Sequence, residues 1–180
     1  MNGWWNRKQM KLHLLRHAKT NHHSPTGLDF DRELLPRGYE QINELKNFLK
    51  DHPIDPKLIL CSSAMRTRQT LAEFQGLWPE ASIQFIDELY LAEKEEILKL
   101  ICAQNSSEEI LVIGHNEGLS DLVMNLAHPP HALKTCGFIS MEFPFENSAY
   151  ISQDTGSIMA MFRVLWFFWS SHVFLLNSIR

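Results

Sequence analysis

Several features that would assign a chain to a class are scarce here. The 180 residues include only three cysteines, Cys61, Cys102 and Cys136. They are odd in number, lie far apart and make no CxxC pair, so they read as reduced thiols in a cytosolic protein. The formal net charge is −4, whereas general nucleic-acid binding calls for a basic surface. No nucleic-acid partner is expected, although a local pocket can be cationic on an acidic protein. No internal repeat, low-complexity tract or Gly/Ser linker divides the chain. Met1 to Met10 contains no apolar stretch of signal-peptide length. The apolar segment from Val164 to Leu176, broken by Ser170-Ser171-His172, is shorter than the roughly 20 residues of a membrane-spanning helix.

What is present fits one folded domain. Hydrophobic residues make up 44% and charged residues 21%, ordinary for a globular chain of a size that buries a real core. Residues 1–9 read as a disordered leader and 10–163 as the domain. Residues 164–180 read as a final strand with a docking helix, the alternative being an interfacial membrane segment. Lys11 to Arg16 is a short apolar run that predicts a buried strand, followed by a polar loop from Ala18 to about Glu33. Pro36 opens a helical stretch in which Ile42, Leu45, Phe48 and Leu49 recur at helical spacing. Further strands are predicted at Leu58–Cys61, Ile83–Ile86 and Ile110–Ile113. Helices are predicted at Ala64–Phe74, Glu93–Cys102 and about Glu117–Leu126. Gly137–Phe143 and Gly156–Phe162 read as late, antiparallel strands. Strands alternating with helices predict an α/β fold, a mostly parallel central sheet with helices on both faces. Ligands bind such sheets beyond the carboxyl ends of the strands.

Three strand ends therefore matter. The first carries Arg16-His17, the second leads into Ser62-Ser63-Ala64-Met65-Arg66-Thr67, and the Ile110–Ile113 strand ends in Gly114-His115-Asn116. A phosphoryl group carries close to two negative charges and spreads them over its oxygens in the transition state. Guanidinium forks match those oxygens with paired, charge-assisted hydrogen bonds. An imidazole attacks phosphorus only when neutral, and neighbouring cations such as Arg16 and Arg66 disfavour its charged form. Neutral histidine also needs its other nitrogen tied to an acceptor, often a backbone carbonyl. These residues thus predict a site in which His17 is the nucleophile and Arg16, Arg66, His115 and Asn116 bind the phosphoryl group.

Leu15-Arg16-His17-Ala18-Lys19 resembles the RHG/RHA signature of the histidine phosphatase superfamily, with its phosphoglycerate-mutase-like fold. Asp29-Phe30-Asp31-Arg32, Leu34 and Arg37-Gly38 resemble the D-x-x-R-x-L-x-x-x-G segment of SixA-like phosphohistidine phosphatases. Ser62 to Thr70 resembles their S-x-x-x-R-A/T-x-Q-T block, and Gly114-His115-Asn116 their second-histidine turn. The likeness spans about residues 11 to 143. It implies that His17 is transiently phosphorylated and then hydrolysed while Arg16, Arg66 and His115 hold the oxygens. No metal or other cofactor is expected. The partner implied is a phosphohistidine protein, or else a small phosphorylated substrate.

Two departures accompany the resemblance. Many superfamily members place a glutamate general acid in an L-x-E pattern after the third strand; here that position falls on Leu91, with Glu88 and Glu93 nearby. A missing acid handicaps cleavage of an alkyl phosphate, whose alkoxide leaves poorly without a proton, more than cleavage of a P–N bond. The other departure is the apolar tail, which takes the place of a proline-containing end. Outside the phosphohistidine reading stand a broad phosphomonoesterase, a phosphate-recognising module without turnover, and a membrane adaptor acting through the tail.

Other residues receive plainer readings. Arg68 is expected at the surface, and Arg32 in a structural bond to a loop carboxylate. His22 and His23, adjacent in a loop, are read as a rim rather than as metal ligands. Asn21 and Ser24 are read as turn caps. Four residues separate Cys61 from Arg66-Thr67, one fewer than in cysteine phosphatases, so it is expected to be an apolar strand-end residue.

Overall fold

A computed structural model describes residues 9–129 and 131–164 of the chain. All but the last residue of the leader and all but the first of the apolar tail, including any membrane contact through the tail, lie outside the described residues.

Among the described residues six strands form one sheet: β1 (Met10–Arg16), β2 (Leu58–Ser62), β3 (Ser82–Ile86), β4 (Ile110–Gly114), β5 (Phe138–Phe143) and β6 (Ser157–Phe162). Their order is β3-β2-β4-β1-β5-β6. The first four strands run parallel, and β5 and β6 continue the sheet antiparallel. The helices are α1 (Pro36–Asp51), α2 (Met65–Ala72), α3 (Lys94–Ala103) and α4 (Gly118–Leu126). The predicted second helix ends two residues early, because Phe74 opens a 3₁₀ turn over Gln75–Leu77.

Alternation along the strands explains the two-sided core. From β1, Met10, Leu12 and Leu14 pack with Ile97 and Ile101 of α3 and Leu119, Leu122, Val123 and Leu126 of α4. Leu15, with Ile59 and Cys61 of β2 and Leu111 and Ile113 of β4, packs with Ile42, Leu45 and Leu49 of α1 and Leu71 of α2. Both faces are covered, as a parallel sheet requires.

The strands that end in the predicted motifs, β2, β4 and β1, are consecutive in the sheet. Arg16 pairs with Gly114, and Cys61 with Ile113, so all three strands terminate at one level. Two glycines let the surrounding segments close on that edge. A Cβ on Gly38 at the start of α1 would lie 2.5 Å from the Lys19 carbonyl oxygen, and one on Gly118 would strike the Ala92 carbonyl. Gln41 of α1 ties the same segment down, accepting from the Lys19 N–H at 2.9 Å.

Candidate active site

Beyond that edge lies a cavity of about 350 Å³ lined by Arg16, His17, Arg32, Arg66, His115 and Asn116, with Asp29, Leu91 and others on its walls. All five residues singled out from the sequence therefore meet in one anion-sized space. His17 is 8% exposed, Arg66 2% and His115 3%.

His17 Nδ1 lies 2.8 Å from the carbonyl oxygen of Ala18. That oxygen only accepts, so Nδ1 carries the proton and Nε2 keeps its lone pair. The acceptor that the sequence left unnamed is thus the next residue's own backbone. The ring's pKa is lowered to about 3, first by burial and then by Arg66, Arg16 and Arg32, against the opposing hydrogen bond to Ala18. The arginines were expected to be the cause; withdrawal from water is the larger one.

His115 is held differently. Arg66 Nε donates to its Nδ1 at 3.2 Å, and its Nε2–H donates to Ser62 Oγ at 2.8 Å. Its pKa is also lowered to about 3, chiefly by burial and then by Arg66 and His17. Both nitrogens are engaged within the protein. In this arrangement His115 therefore walls the cavity and orients Arg66, and its N–H is not offered to an anion as predicted. Asn116 has its side-chain oxygen taken by the Ser120 hydroxyl, which leaves its NH₂ group as the donor end.

The two predicted arginines also differ. Arg16 Nη1 donates to the Leu133 carbonyl at 2.9 Å, while its Nε is buried without a hydrogen-bond partner. Arg66 Nη1 and Nη2 donate to the Asp29 carbonyl and carboxylate at 2.7 and 3.0 Å. With Nε on His115, three of its five N–H groups are committed. Arg32 does bond a loop carboxylate, Asp29 Oδ1 at 2.7 Å, yet it also lines the cavity, so its part is larger than predicted. Arg68 is exposed and lies over the Phe85 ring at 4.4 Å.

The pieces not read from the sequence are Asp29, Tyr90 and Ser62. Asp29 stood in the quoted D-x-x-R motif, but only the fold shows it reaching Arg66. Tyr90 donates to Asp29 Oδ2 at 2.7 Å. Among the described residues Asp29 is the one carboxylate lining the cavity, and its pKa lies far below the usual range, first through the hydrogen bond from Arg32 and then, against desolvation, through that from Tyr90 and the charge of Arg66. It stays ionised and cannot donate a proton. Leu91 holds the predicted acid position with an exposed side chain, and neither Glu88 nor Glu93 lines the cavity. Cys61 is fully buried with its thiol pKa pushed up to about 12, mainly by burial, which agrees with an apolar rather than a nucleophilic role.

The sequence model of the Histidine phosphatase superfamily (branch 1) matches residues 12–90. An uncharacterized protein of Mycobacterium leprae is 30% identical over 146 residues, covering 77% of this chain and 86% of that one. SixA of Agrobacterium tumefaciens superposes with a TM-score of 0.71 at 27% identity, over 86% of this chain and 97% of that one. This chain belongs to the histidine phosphatase superfamily. Within that superfamily it also shares the fold of the protein histidine phosphatase SixA complexed with tungstate, with a TM-score of 0.70 at 22% identity over 84% of this chain and 96% of that one. The α/β architecture is that of phosphoglycerate-mutase-like proteins, and the family supports phosphatase activity.

Proposed function

We propose that this histidine phosphatase hydrolyses phosphohistidine on protein substrates through a covalent intermediate on His17. The observation that carries the reading is the His17 ring, with its Nδ1–H committed to the Ala18 carbonyl. Its Nε2 lone pair attacks phosphorus, the P–N bond to the substrate imidazole breaks, and the departing nitrogen takes a proton from solvent. Water then attacks the phosphorylated His17, releasing inorganic phosphate and returning the electron pair to Nε2. Arg16, Arg66 and Arg32 stabilise the charge on the transferring oxygens. The unpartnered Nε–H of Arg16 is a buried donor with a reason to receive an oxyanion.

The depressed pKa of Asp29 favours phosphohistidine over alkyl phosphates. Neither ionised Asp29 nor neutral His115 can protonate a departing alkoxide, whereas an imidazole departs more readily. The reaction needs no metal, and a cytoplasmic setting fits the three free thiols. Brief exposure to a phosphoramidate should leave an acid-labile phosphate on His17, and EDTA should not slow turnover. Equal rates on phosphohistidine and an alkyl phosphate would contradict the leaving-group argument. A failure to label His17 during turnover would contradict the intermediate.

A further inference from the structure

The loop between β1 and α1 brings a single carboxylate against two guanidiniums. Asp29 Oδ1 accepts from Arg32 Nη1 at 2.7 Å, and Oδ2 accepts from Arg66 Nη2 at 3.0 Å and from the Tyr90 hydroxyl at 2.7 Å. The Asp29 backbone carbonyl takes a further bond from Arg66 Nη1 at 2.7 Å. Arg32 is fixed at its other nitrogens by the Asn21 carbonyl and the Thr20 hydroxyl, both at 2.6 Å. Tyr90 is wedged in turn: its ring meets Phe30 edge-on at 5.0 Å and His115 at 5.5 Å, and the Arg66 guanidinium lies over it at 5.5 Å.

We infer that Asp29 is a positioning residue that clamps Arg66 and Arg32 around the phosphoryl site. The inference rests on the reaction proposed above only for its turnover readout; its binding readout is independent. Two cations aimed at one cavity repel each other when the cavity holds no anion. An ionised carboxylate between them offsets that repulsion and fixes both planes. It also leaves two N–H groups on each guanidinium uncommitted. Preset donors need no reorganisation when the anion arrives, and this is the source of their advantage. Asp29 acts through the arginines, and Tyr90 holds it to that task.

The test uses the full chain with tungstate as the probe for binding and a phosphoramidate for turnover. Asp29→Ala should weaken tungstate binding and lower kcat/KM by ~10–100-fold, mostly through KM. Asp29→Asn, which keeps an acceptor oxygen, should recover part of that loss. In an Arg66→Ala background, Asp29→Ala should cost clearly less than it does in wild type, because only Arg32 is left for it to position. The clamp is overturned if Asp29→Ala leaves tungstate affinity within about 2-fold of wild type. It is overturned equally if the full penalty persists without Arg66, or if the loss only tracks a lower folded fraction in urea titrations. A clamp that passes the tungstate arms while the native chain shows no phosphoramidate turnover stands, and only the proposed reaction falls.

Discussion

His13 and His17 sit on the same strand and just past its end, both buried, at 0% and 8% exposed, and their partners set them apart. His13 Nε2 donates to the Glu109 carboxylate at 2.8 Å and its ring stacks on Phe138. Glu109 also accepts from the Asp55 backbone N–H at 2.7 Å and lies 3.7 Å from Lys11 Nζ. Burial pushes the Glu109 carboxyl pKa up, but His13, Asp55 and Lys11 together bring it below its ordinary value. His13 is thus a hydrogen-bonded link between strand and loop. His17 has only a backbone carbonyl as partner and three arginines nearby. Burial and the guanidiniums favour the neutral form of His17, which can attack, whereas the His13 ring is tied to a carboxylate and stacked in the core. The same residue type becomes a strut in one place and a candidate nucleophile in the other, according to the charge facing it.

The comparison breaks most visibly in turnover. His17→Ala should lower phosphoramidate hydrolysis by ~10³-fold or more, the scale of losing a nucleophile. His13→Leu should leave kcat within about 2-fold and instead reduce stability by about 1–3 kcal/mol in urea unfolding, since Glu109 loses a donor. A His13→Leu protein that is folded but inactive would erase the distinction.

Acid sharpens it next. Folded His17 and His115 take up a proton only near pH 3, against 6.5 for an ordinary imidazole. Between those values the unfolded chain binds more protons than the folded one, so stability is present above about pH 6.5 and declines as pH falls toward 3. The slope is up to about 1.4 kcal/mol per pH unit for each histidine. Urea midpoints at several pH values from 4.5 to 7.5 measure it, and His17→Gln should remove its share. A wild-type midpoint that is flat across this range would show that neither ring is held neutral.

Much of this was readable in the sequence because it is local. Apolar runs at Lys11–Arg16, Leu58–Cys61 and Ile110–Ile113 marked buried strands, and the residues at and after their ends named the site. Strand order could not be read, since the pairing of Arg16 with Gly114 joins positions far apart in the chain. Nor could partner choice within the cavity. Nothing near Arg66 indicates that it will reach Asp29, or that Ser62 rather than an anion will take the His115 N–H. Arg16 and Arg66 do lower the His17 pKa as expected, but the larger cause, burial, was not legible: charges are visible in a sequence, whereas the depth of burial is a property of the assembled sheet.

Leu91 gives the smallest and most specific effect. It is 54% exposed on the cavity wall, with its backbone in the left-handed region at φ 52°. Both leucine and glutamate pay the same backbone penalty there, so Leu91→Glu should change chemistry more than folding. A glutamate on this wall could supply the proton that Asp29, held ionised by Arg32, Tyr90 and Arg66, cannot give. The gain should appear on alkyl phosphates, by ~10-fold, and leave phosphohistidine nearly unchanged, because only the alkoxide needs the proton. It should also be confined to the acid side of the pH profile, since the surrounding arginines lower the new carboxyl's pKa and keep it ionised near neutrality. Rates on both substrates from pH 4.5 to 7.5 decide the matter. An equal gain on phosphohistidine would mean that the side chain had altered access to the cavity, and the link between a missing acid and substrate choice would be lost.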